Sequence, residues 1–280
     1  MSRTLIFGRG FLGQTLAASL PNAKLVATDI SDRVAVESVL RDEKPWCVVN
    51  AAGKTGRPNV DWCETHQAET TRSNVIGAAV LAEACGNTST HLLHLASGCI
   101  FYGESPTPGG WLEDDFANPT SFYSRSKYAA DLLLSKMEHV AILRLRMPIA
   151  SKPDPRNLIT KLAGYKRVVD VENSVTIVED LVKVVAGLLE KRASGVFHGT
   201  NAGTMRHRDL LALYKKYVDP KHEVELISEA ELLGSGLVSK ARSNCILASP
   251  RLEALGLAMR PIDVALEETM RAYAQAKNAA

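Results

Sequence analysis

Short apolar runs recur along the first half of the chain, and the stretches between them carry apolar residues at helical spacing. The runs predict five strands, at residues 4–7, 24–28, 46–50, 91–96 and 140–145. The other stretches predict helices from the glycine-rich turn to residue 20 and at 34–40, 74–84 and 122–137, with Gly86-Asn87 ending the third. Strands that alternate with helices form parallel β-α-β units with helices on both faces. The predicted fold is therefore an α/β, doubly wound parallel sheet.

The second half of the chain has a less regular pattern, which Pro148, Pro153 and Pro155 interrupt. Helices are predicted at residues 178–191, 207–217, 229–233 and 262–276, and a strand at residues 195–198. We therefore expect residues 1–147 to carry most of the sheet and residues 168–198 to complete it. Residues 148–280 are expected to form mainly a smaller C-terminal lobe.

A glycine-rich turn, GRGFLG, follows the first strand and opens a helix. Its members are Gly8, Arg9, Gly10, Phe11, Leu12 and Gly13. Glycine lets the turn be tight and lets the backbone approach a pyrophosphate, which the N–H groups at the helix N-terminus attract. Since parallel sheets bind ligands beyond the carboxyl ends of their strands, we predict that residues 8–13 hold a dinucleotide on a Rossmann-type fold.

The choice between NADPH and NADH stays open from the sequence. A carboxylate after the second strand, Asp29 or Asp32, would bond the ribose 2′-hydroxyl of NADH and repel a 2′-phosphate. Arg9, inside the glycine-rich turn, would instead pair with the 2′-phosphate of NADPH. The two aspartates are equally well placed to cap the next helix.

Composition and charge narrow the classes of function. The 280 residues include 33 Lys plus Arg and 31 Asp plus Glu, a net charge of +2, which gives no support for a nucleic-acid partner. The five Cys and seven His show no ligand spacing, so neither a disulfide scaffold nor a metal site is predicted. No apolar run reaches about 18 residues and no signal peptide is recognisable, which predicts a cytoplasmic protein without a membrane segment.

A tyrosine and a lysine one helical turn apart carry the strongest chemical signal. Tyr123-x-x-x-Lys127 lies on a predicted helix, where positions i and i+4 share one face. A lysine ammonium beside a phenol lowers the pKa of the tyrosine, which then serves as a general acid or base. Ser97, at the end of the fourth strand, is expected to hydrogen-bond the carbonyl oxygen that Tyr123 protonates. Taken alone, the pair would be two ordinary residues of a solvated helix.

These motifs, in this order and together with Asn50-Ala51-Ala52-Gly53 and Asn74-Val75-x-Gly77, resemble the extended short-chain dehydrogenase/reductase superfamily. Longer strings are similar to the nucleotide-rhamnose synthase/epimerase-reductase family, which includes the C-terminal half of plant rhamnose synthases. They are NAAGKTGRPNVDWCE (50–64), SGCIF (97–101), SFYSRSK (121–127), LRLRMPI (143–149) and PRNLITK (155–161). The resemblance implies an enzyme that converts UDP- or dTDP-4-keto-6-deoxyglucose to the L-rhamnose nucleotide with NADPH or NADH. It places Asn50, Ala51 and Ala52 at the cofactor and the C-terminal lobe at the substrate.

The same resemblance gives Cys99 and Lys166 the roles of acid and base in epimerisation at C3 and C5. Ser97, Tyr123 and Lys127 would carry the reduction at C4. The C4 ketone acidifies the protons on both carbons, and inversion needs a base on one face and an acid on the other. By themselves, Cys99 would be a small buried residue and Lys166 a surface charge. The alternatives are a plain dTDP-4-dehydrorhamnose reductase and a non-catalytic nucleotide-binding subunit of the same fold.

Further substrate contacts are weaker predictions. Arg242 and Asn244 are candidates for the substrate diphosphate, and Asn157 for the nucleotide, although each fits an ordinary loop equally well. A nucleotide sugar is the expected partner. A homodimer is left open, because amphipathic helices serve a dimer interface and a monomer core alike.

Overall fold

Six strands form the central sheet in the order β10-β5-β4-β3-β1-β2. The computed structural model describes residues 3–57, 59–236, 238 and 243–279. The strands are β1 (Thr4–Phe7), β2 (Ala23–Val26), β3 (Cys47–Asn50), β4 (His91–Ser97), β5 (Val140–Leu145), β6 (Pro148–Ile149), β7 (Arg167–Val169), β8 (Glu172–Asn173), β9 (Thr176–Ile177), β10 (Gly195–Gly199), β11 (Met205–Arg206) and β12 (Glu225–Ile227).

Helices connect these strands. They are α1 (Phe11–Ser19), α2 (Arg33–Glu43), α3 (Trp62–Thr65), α4 (Gln67–Thr71), α5 (Gly77–Asn87), α6 (Phe122–Leu134), α7 (Leu158–Ala163), α8 (Val178–Glu190), α9 (His207–Tyr217), α10 (Glu229–Gly234), α11 (Pro250–Ala254) and α12 (Ile262–Asn278). A π-helical turn, Arg72–Ile76, precedes α5, and a 3₁₀ turn, Gly98–Ile100, follows β4. Among the described residues, no helix combines the length and the hydropathy needed to span a membrane.

The central strands run parallel and are buried along their whole length. β1 pairs with β2 and with β3, and β3 pairs with β4 so that Asn50 lies directly opposite His94. Every residue of β1, β3, β4 and β5 is buried, as expected for a parallel sheet that is covered on both faces. The carboxyl ends of β1, β3 and β4 therefore lie along one edge of the sheet, where such folds bind ligands.

The chain forms two compact units. The first contains Met1–Ile100, Phe116–Arg144 and Val182–Phe197, and the second contains Phe101–Asp115, Leu145–Leu181 and His198–Ala280. The core of the first unit joins strand residues such as Val48 and Leu92 to helix residues such as Leu81. The core of the second is built from residues such as Leu210 and Leu266. The substrate-binding role expected for residues 148–280 stays a prediction.

The predicted α/β fold is confirmed, and the strand expected at residues 195–198 is β10, beside β5. The predicted end of the third helix is wrong. α5 continues through Gly86 to Asn87, and the π-helical turn replaces the start that was expected at residue 74. Gly86 is explained by packing instead, because a Cβ there would lie 3.0 Å from the His139 ring.

Candidate active site

The glycine-rich turn after β1 packs against the loop that follows β3. Gly8 has φ +104°, a conformation that favours glycine, and a Cβ at Gly8 would lie 2.4 Å from the backbone nitrogen of Ala52. A Cβ at Gly13 would lie 1.8 Å from the carbonyl oxygen of Gly8. Because neither position accepts a side chain, α1 begins directly against the turn. Bare backbone at a helix N-terminus fits a dinucleotide pyrophosphate.

Asn50 fixes the loop after β3, which packs against the glycine-rich turn; we call residues 8–13 and 50–52 together the cofactor cradle. It is fully buried at the end of β3, and its Oδ1 accepts a hydrogen bond from the Ala52 N–H at 3.0 Å. Its Nδ2 donates to His94 Nδ1 on the neighbouring strand at 2.9 Å. The turn Asn50-Ala51-Ala52 is therefore fixed by a buried side chain, which keeps the Ala52 backbone against Gly8.

The structure separates the two aspartates that follow β2. Asp32 Oδ1 accepts from the Ala35 N–H at 3.1 Å, so Asp32 is the N-cap of α2. Asp29 Oδ1 accepts from the backbone N–H and the hydroxyl of Ser31, both at 2.9 Å, and these bonds lower the pKa of Asp29. Asp29 is thus exposed after β2 and does not cap the helix, and Arg9 is exposed in the glycine-rich turn. Their contacts with a cofactor stay predictions.

Ser97, Cys99 and Tyr123 come together at the end of β4. Ser97 Oγ accepts from the Cys99 N–H at 3.1 Å, and the Ser97 hydroxyl is hydrogen-bonded to the Tyr123 phenol. Cys99 is half-buried and lies close enough to the phenol for the two groups to interact electrostatically. The tight 3₁₀ turn after the strand returns the chain toward Ser97. Three of the predicted catalytic residues therefore share one site.

The pKa of Tyr123 is raised, whereas the sequence predicts that it is lowered. Burial raises the pKa of Tyr123, negative charge at Cys99, Cys63 and Asp131 acts in the same direction, and the hydrogen bond from Ser97 lowers it. The expected lowering by Lys127 is wrong for the chain by itself. Lys127 donates to the Leu95 carbonyl at 3.0 Å, and burial lowers its own pKa to about 8. Tyr123 is therefore a protonated phenol at neutral pH, the form that a general acid needs.

A row of three polar side chains follows one face of α6. Tyr123, Lys127 and Asp131 stand four residues apart, and Lys127 and Asp131 are only 4% and 1% exposed. Asp131 Oδ2 accepts from Arg144 Nε of β5 at 2.8 Å. Burial raises the pKa of Asp131, and Arg144 opposes that shift. Lys127 Nζ also lies 3.3 Å from His94 Nε2, so the row is tied to β4 and β5.

The N-terminus of α6 is held by three separate elements. Ser121 Oγ accepts from the Ser124 N–H at 3.2 Å as the N-cap. A Glu64 carboxylate oxygen from α3 accepts from the Phe122 N–H at 2.8 Å. Asn74 of the π-helical turn donates to Ser126 Oγ at 3.0 Å. These contacts fix where Tyr123 stands along β4.

Lys166 belongs to the second unit. It is exposed immediately before β7, and its carbonyl accepts from the Glu225 N–H at 2.9 Å. It lines a surface groove of about 640 Å³ together with Arg208 and Lys215. Its pairing with Cys99 stays a prediction.

Asn157 and Asn244, two of the three residues predicted to contact the substrate, lie in different surroundings. Asn157 is fully buried; its Nδ2 donates to the Ala150 and Lys152 carbonyls and its Oδ1 accepts from the Ile159 N–H. These bonds make it the N-cap of α7 and disagree with a nucleotide contact. Asn244 lines a cavity of about 1080 Å³ in the second unit and keeps its Oδ1 without a hydrogen-bond partner, so its role stays a prediction. Arg242 lies outside the described residues.

Comparison with known proteins agrees with this arrangement. Residues 2–234 match the family model described as RmlD substrate binding domain. The chain belongs to this family. A relative in Arabidopsis thaliana, a bifunctional dTDP-4-dehydrorhamnose 3,5-epimerase/dTDP-4-dehydrorhamnose reductase, is 40% identical over 227 residues, which cover 77% of this chain and 75% of the relative. The resemblance inferred from the motifs is confirmed.

Solved structures of similar proteins carry the RmlD-type fold. The L780 UDP-rhamnose synthase of Acanthamoeba polyphaga mimivirus has a TM-score of 0.90 at 28% identity, covering 96% of this chain and 99% of that one. A dTDP-4-dehydrorhamnose reductase from Bacillus anthracis in complex with NADP has a TM-score of 0.81 at 21% identity, covering 98% and 99%. The second likeness supports the fold.

Sequence reasoning did not assign a role to four residues that build the candidate site. They are Glu64, Asn74, His94 and Asp131. Glu64 and Asn74 stood inside or beside the motifs, and Asp131 continues the four-residue spacing of Tyr123 and Lys127. His94 gave one signal, a polar side chain flanked by apolar residues in the middle of a strand. Within the described part of the chain, no group of His, Cys, Asp and Glu could hold a metal ion.

Proposed function

We propose that this chain is a bifunctional nucleotide-sugar 3,5-epimerase/4-keto-reductase that converts UDP- or dTDP-4-keto-6-deoxyglucose to UDP- or dTDP-L-rhamnose. The chain is an NAD(P)H-dependent enzyme, and a 4-keto-reductase of rhamnose nucleotide synthesis agrees with the names of its relatives. One observation supports the added epimerase activity. Cys99 lies beside both Ser97 and Tyr123, the two residues proposed to act on the C4 oxygen. Its N–H donates to Ser97 Oγ, and its thiol lies near the Tyr123 phenol.

NADPH or NADH fits the cradle at the carboxyl edge of the sheet. Gly8 and Gly13 leave bare backbone where a Cβ would collide, and the N-terminus of α1 suits the pyrophosphate. Lys127 would hold the nicotinamide ribose. When bound, the cofactor supplies the hydride for C4. Asp29 and Arg9 would then set the preference between the two cofactors, because one repels and the other attracts a 2′-phosphate.

Ser97 and Tyr123 supply what the reduction requires from the protein. Tyr123 donates its phenolic proton to the oxygen on C4, and Ser97 hydrogen-bonds the same oxygen. The Cys99 N–H orients the Ser97 hydroxyl by occupying one of its lone pairs. A protonated tyrosine suits reduction, since the ketone oxygen must gain a proton as the carbon gains a hydride.

Cys99 supplies a proton-transfer group for epimerisation at C3 and C5. A base removes the proton next to the C4 ketone, and an acid returns a proton to the opposite face of the same carbon. Ser97 and Tyr123 stabilise the enolate oxygen between these two steps. Lys166 is proposed as the partner of Cys99 in this exchange.

The test is Cys99→Ala, assayed with two substrates. We expect the variant to lose at least about 100-fold in turnover of the 4-keto-6-deoxyglucose nucleotide, the usual scale of an acid–base residue. Reduction of the already epimerised 4-keto-rhamnose nucleotide should stay within a few-fold. Cys47→Ala is the matched control, because this buried thiol lies at the opposite end of the sheet, at the start of β3.

The two substrates also separate the alternatives. Equal activity of Cys99→Ala and wild type on the unepimerised substrate would overturn the role of Cys99. A wild-type chain that reduces only the epimerised substrate would be a monofunctional reductase. A chain that oxidises no NAD(P)H with either substrate would be a nucleotide-binding subunit.

A further inference from the structure

A π-helical turn joins α4 to α5 beside the loop that follows β2. The turn spans Arg72–Ile76, and at its end the Gly77 N–H donates to the Arg72 carbonyl. This hydrogen bond reaches back five residues, whereas an α-helix reaches back four. Single π-helical turns inside α-helices are rare and occur frequently at functional sites. Here the turn changes the direction in which the Arg72 side chain leaves the helix.

The π-helical hydrogen bond places Arg72 on the same side of the helix as Gly77. In a regular α-helix each residue turns by about 100°, so two residues five apart would point about 140° away from each other. Gly77 is buried against the loop after β2. A Cβ at Gly77 would lie 2.6 Å from Ile30 Cγ1 and 3.3 Å from the Ser31 nitrogen. Arg72, one wide turn earlier, is therefore directed toward this loop.

Asp29 is the charged group of the loop that Arg72 meets. The hydrogen bonds from Ser31 lower the pKa of Asp29 most, burial opposes them, and the positive charge of Arg72 lowers it further. The contact of Gly77 with the loop and the charge interaction of Arg72 with Asp29 agree with each other. The guanidinium of Arg72 thus stands near the carboxylate at the carboxyl end of β2.

Two arginines near this end of β2 keep their guanidinium groups available. Arg9 and Arg72 are both exposed, and in the described part of the chain neither has an ion pair within 4.0 Å. Arg33, by contrast, donates to both carboxylate oxygens of Glu83. Arg9 and Arg72 are therefore the cations here that an incoming anion can use.

These charges lie where the fold receives the adenosine ribose of a dinucleotide. β1 and β2 are neighbouring parallel strands, and the glycine-rich turn follows the first while Asp29 follows the second. In such sheets a carboxylate after the second strand bonds the ribose 2′-hydroxyl, whereas a nearby arginine accommodates a 2′-phosphate. A guanidinium suits a phosphate because it offers two parallel N–H donors. Arg72 brings this group to the ribose from a helix that lies beyond β3.

We propose that Arg72, directed toward Asp29 by the π-helical turn, binds the 2′-phosphate of NADPH and is a specificity-determining residue for the cofactor. Arg9 approaches the same phosphate from the glycine-rich turn. Asp29 acts against both arginines, because its carboxylate repels the phosphate. The inference rests on the proposed cofactor cradle and does not depend on whether the chain epimerises its substrate.

The test measures cofactor binding and requires no turnover. NADPH and NADH are titrated by fluorescence against the full chain and against Arg72→Gln, which removes the charge from an exposed position. We expect the Kd of NADPH to rise about 10-fold, the scale of a charge-assisted hydrogen bond, and the Kd of NADH to stay within about two-fold. Arg72→Lys keeps the charge without the paired donors and should give an intermediate Kd for NADPH.

Arg41→Gln is the matched control, because Arg41 is an exposed arginine in the last turn of α2, at the other end of that helix from the loop. It should leave both Kd values unchanged. If Arg72→Gln weakens the two cofactors equally, or neither of them, the inference is overturned. A wild type that binds neither NADPH nor NADH would reject the cofactor cradle itself, and the role of Arg72 with it.

Asp29→Asn distinguishes a contact with the phosphate from an effect that acts only through the carboxylate. If Arg72 binds the phosphate, Arg72→Gln should raise the Kd of NADPH by a similar factor in the wild type and in Asp29→Asn. If the factor falls to one in Asp29→Asn, Arg72 only neutralises Asp29, and the proposed contact is wrong.

Ionic strength provides a further readout of the same contact. Salt screens exposed charges, so the preference of the wild type for NADPH over NADH should decline between about 0.05 M and about 0.5 M KCl. The decline should be smaller in Arg72→Gln, which has lost one of the charges concerned. Equal salt dependence in the two proteins would contradict a contact between Arg72 and the 2′-phosphate.

Discussion

At the scale of single residues, the structure distinguishes side chains that the sequence leaves equivalent. Asp29 and Asp32 are three positions apart and both follow β2. Asp32 caps α2 through the Ala35 N–H, whereas Asp29 bonds Ser31 and keeps its second carboxylate oxygen available. The sequence cannot separate them, because capping depends on where the helix begins, and helix ends are set by backbone geometry.

This distinction predicts which aspartate influences the cofactor preference. Asp29→Asn removes a charge that would repel a 2′-phosphate, so the affinity for NADPH relative to NADH should rise about 10-fold, or about 1.4 kcal/mol. Asp32→Asn is the matched control, since asparagine caps a helix as well as aspartate. Fluorescence titration of each cofactor measures both ratios. An equal rise in the two variants, or in neither, would show that Asp29 does not face the 2′ position.

At the scale of elements, the position of α6 depends on contacts from outside the helix. Glu64 reaches from α3 to the Phe122 N–H, the first residue of α6. A carboxylate at a helix N-terminus satisfies an orphan donor and interacts favourably with the helix dipole. Tyr123 is the next residue, so this contact lies directly beside the phenol that we propose as the proton donor.

Glu64→Ala should lower the free energy of unfolding by about 1 kcal/mol, since it removes the acceptor of a helix N-terminal N–H. Glu64→Gln keeps an acceptor oxygen, so its free energy of unfolding should fall by only about half as much as that of Glu64→Ala. Chemical denaturation measures both. Glu138→Ala, an exposed glutamate, is the control and should change stability by less than about 0.5 kcal/mol. A loss no larger in Glu64→Ala than in this control would contradict the assignment.

The helices and strands also differ in how well the sequence predicts them. The long buried strands and the helices α6, α8, α9 and α12 are predictable, because each carries several apolar residues at one period. α3, α4 and the two- and three-residue strands of the second unit are too short to show a period. Motifs predict the candidate catalytic residues Ser97, Cys99, Tyr123 and Lys127. They do not predict the contacts of His94 and Glu64, because the partners of these two side chains lie 44 and 58 residues away along the chain.

At the scale of the whole molecule, both units bury neutral histidines. Burial lowers the pKa of His91 to about 4 and also lowers the pKa values of His94 and His207. The first two lie on β4 and the third begins α9. An unfolded histidine has a pKa near 6.5, so acid favours the unfolded chain, which binds these protons more readily.

The sign of the resulting pH dependence follows from these lowered values. The contribution of the neutral histidines is fully present above about pH 6.5 and is lost as the pH falls toward 4. We expect the melting temperature to fall steadily across this window. The melting temperature of His91→Leu should fall less between pH 7 and pH 5 than that of the wild type. If both proteins lose the same, His91 is not a source of the acid sensitivity.

The pairing of Asn50 with His94 also bears on how the sheet assembles. Most other residues of the two strands are apolar. The strands would therefore pack almost equally well if one slid along the other by two residues, since the alternation of faces repeats with that period. Such a slip would leave a buried amide and a buried imidazole without partners, at a cost of about 1–3 kcal/mol for each. The hydrogen bond between Asn50 and His94 thus distinguishes the native alignment of β3 and β4 from its nearest competitor while the chain folds.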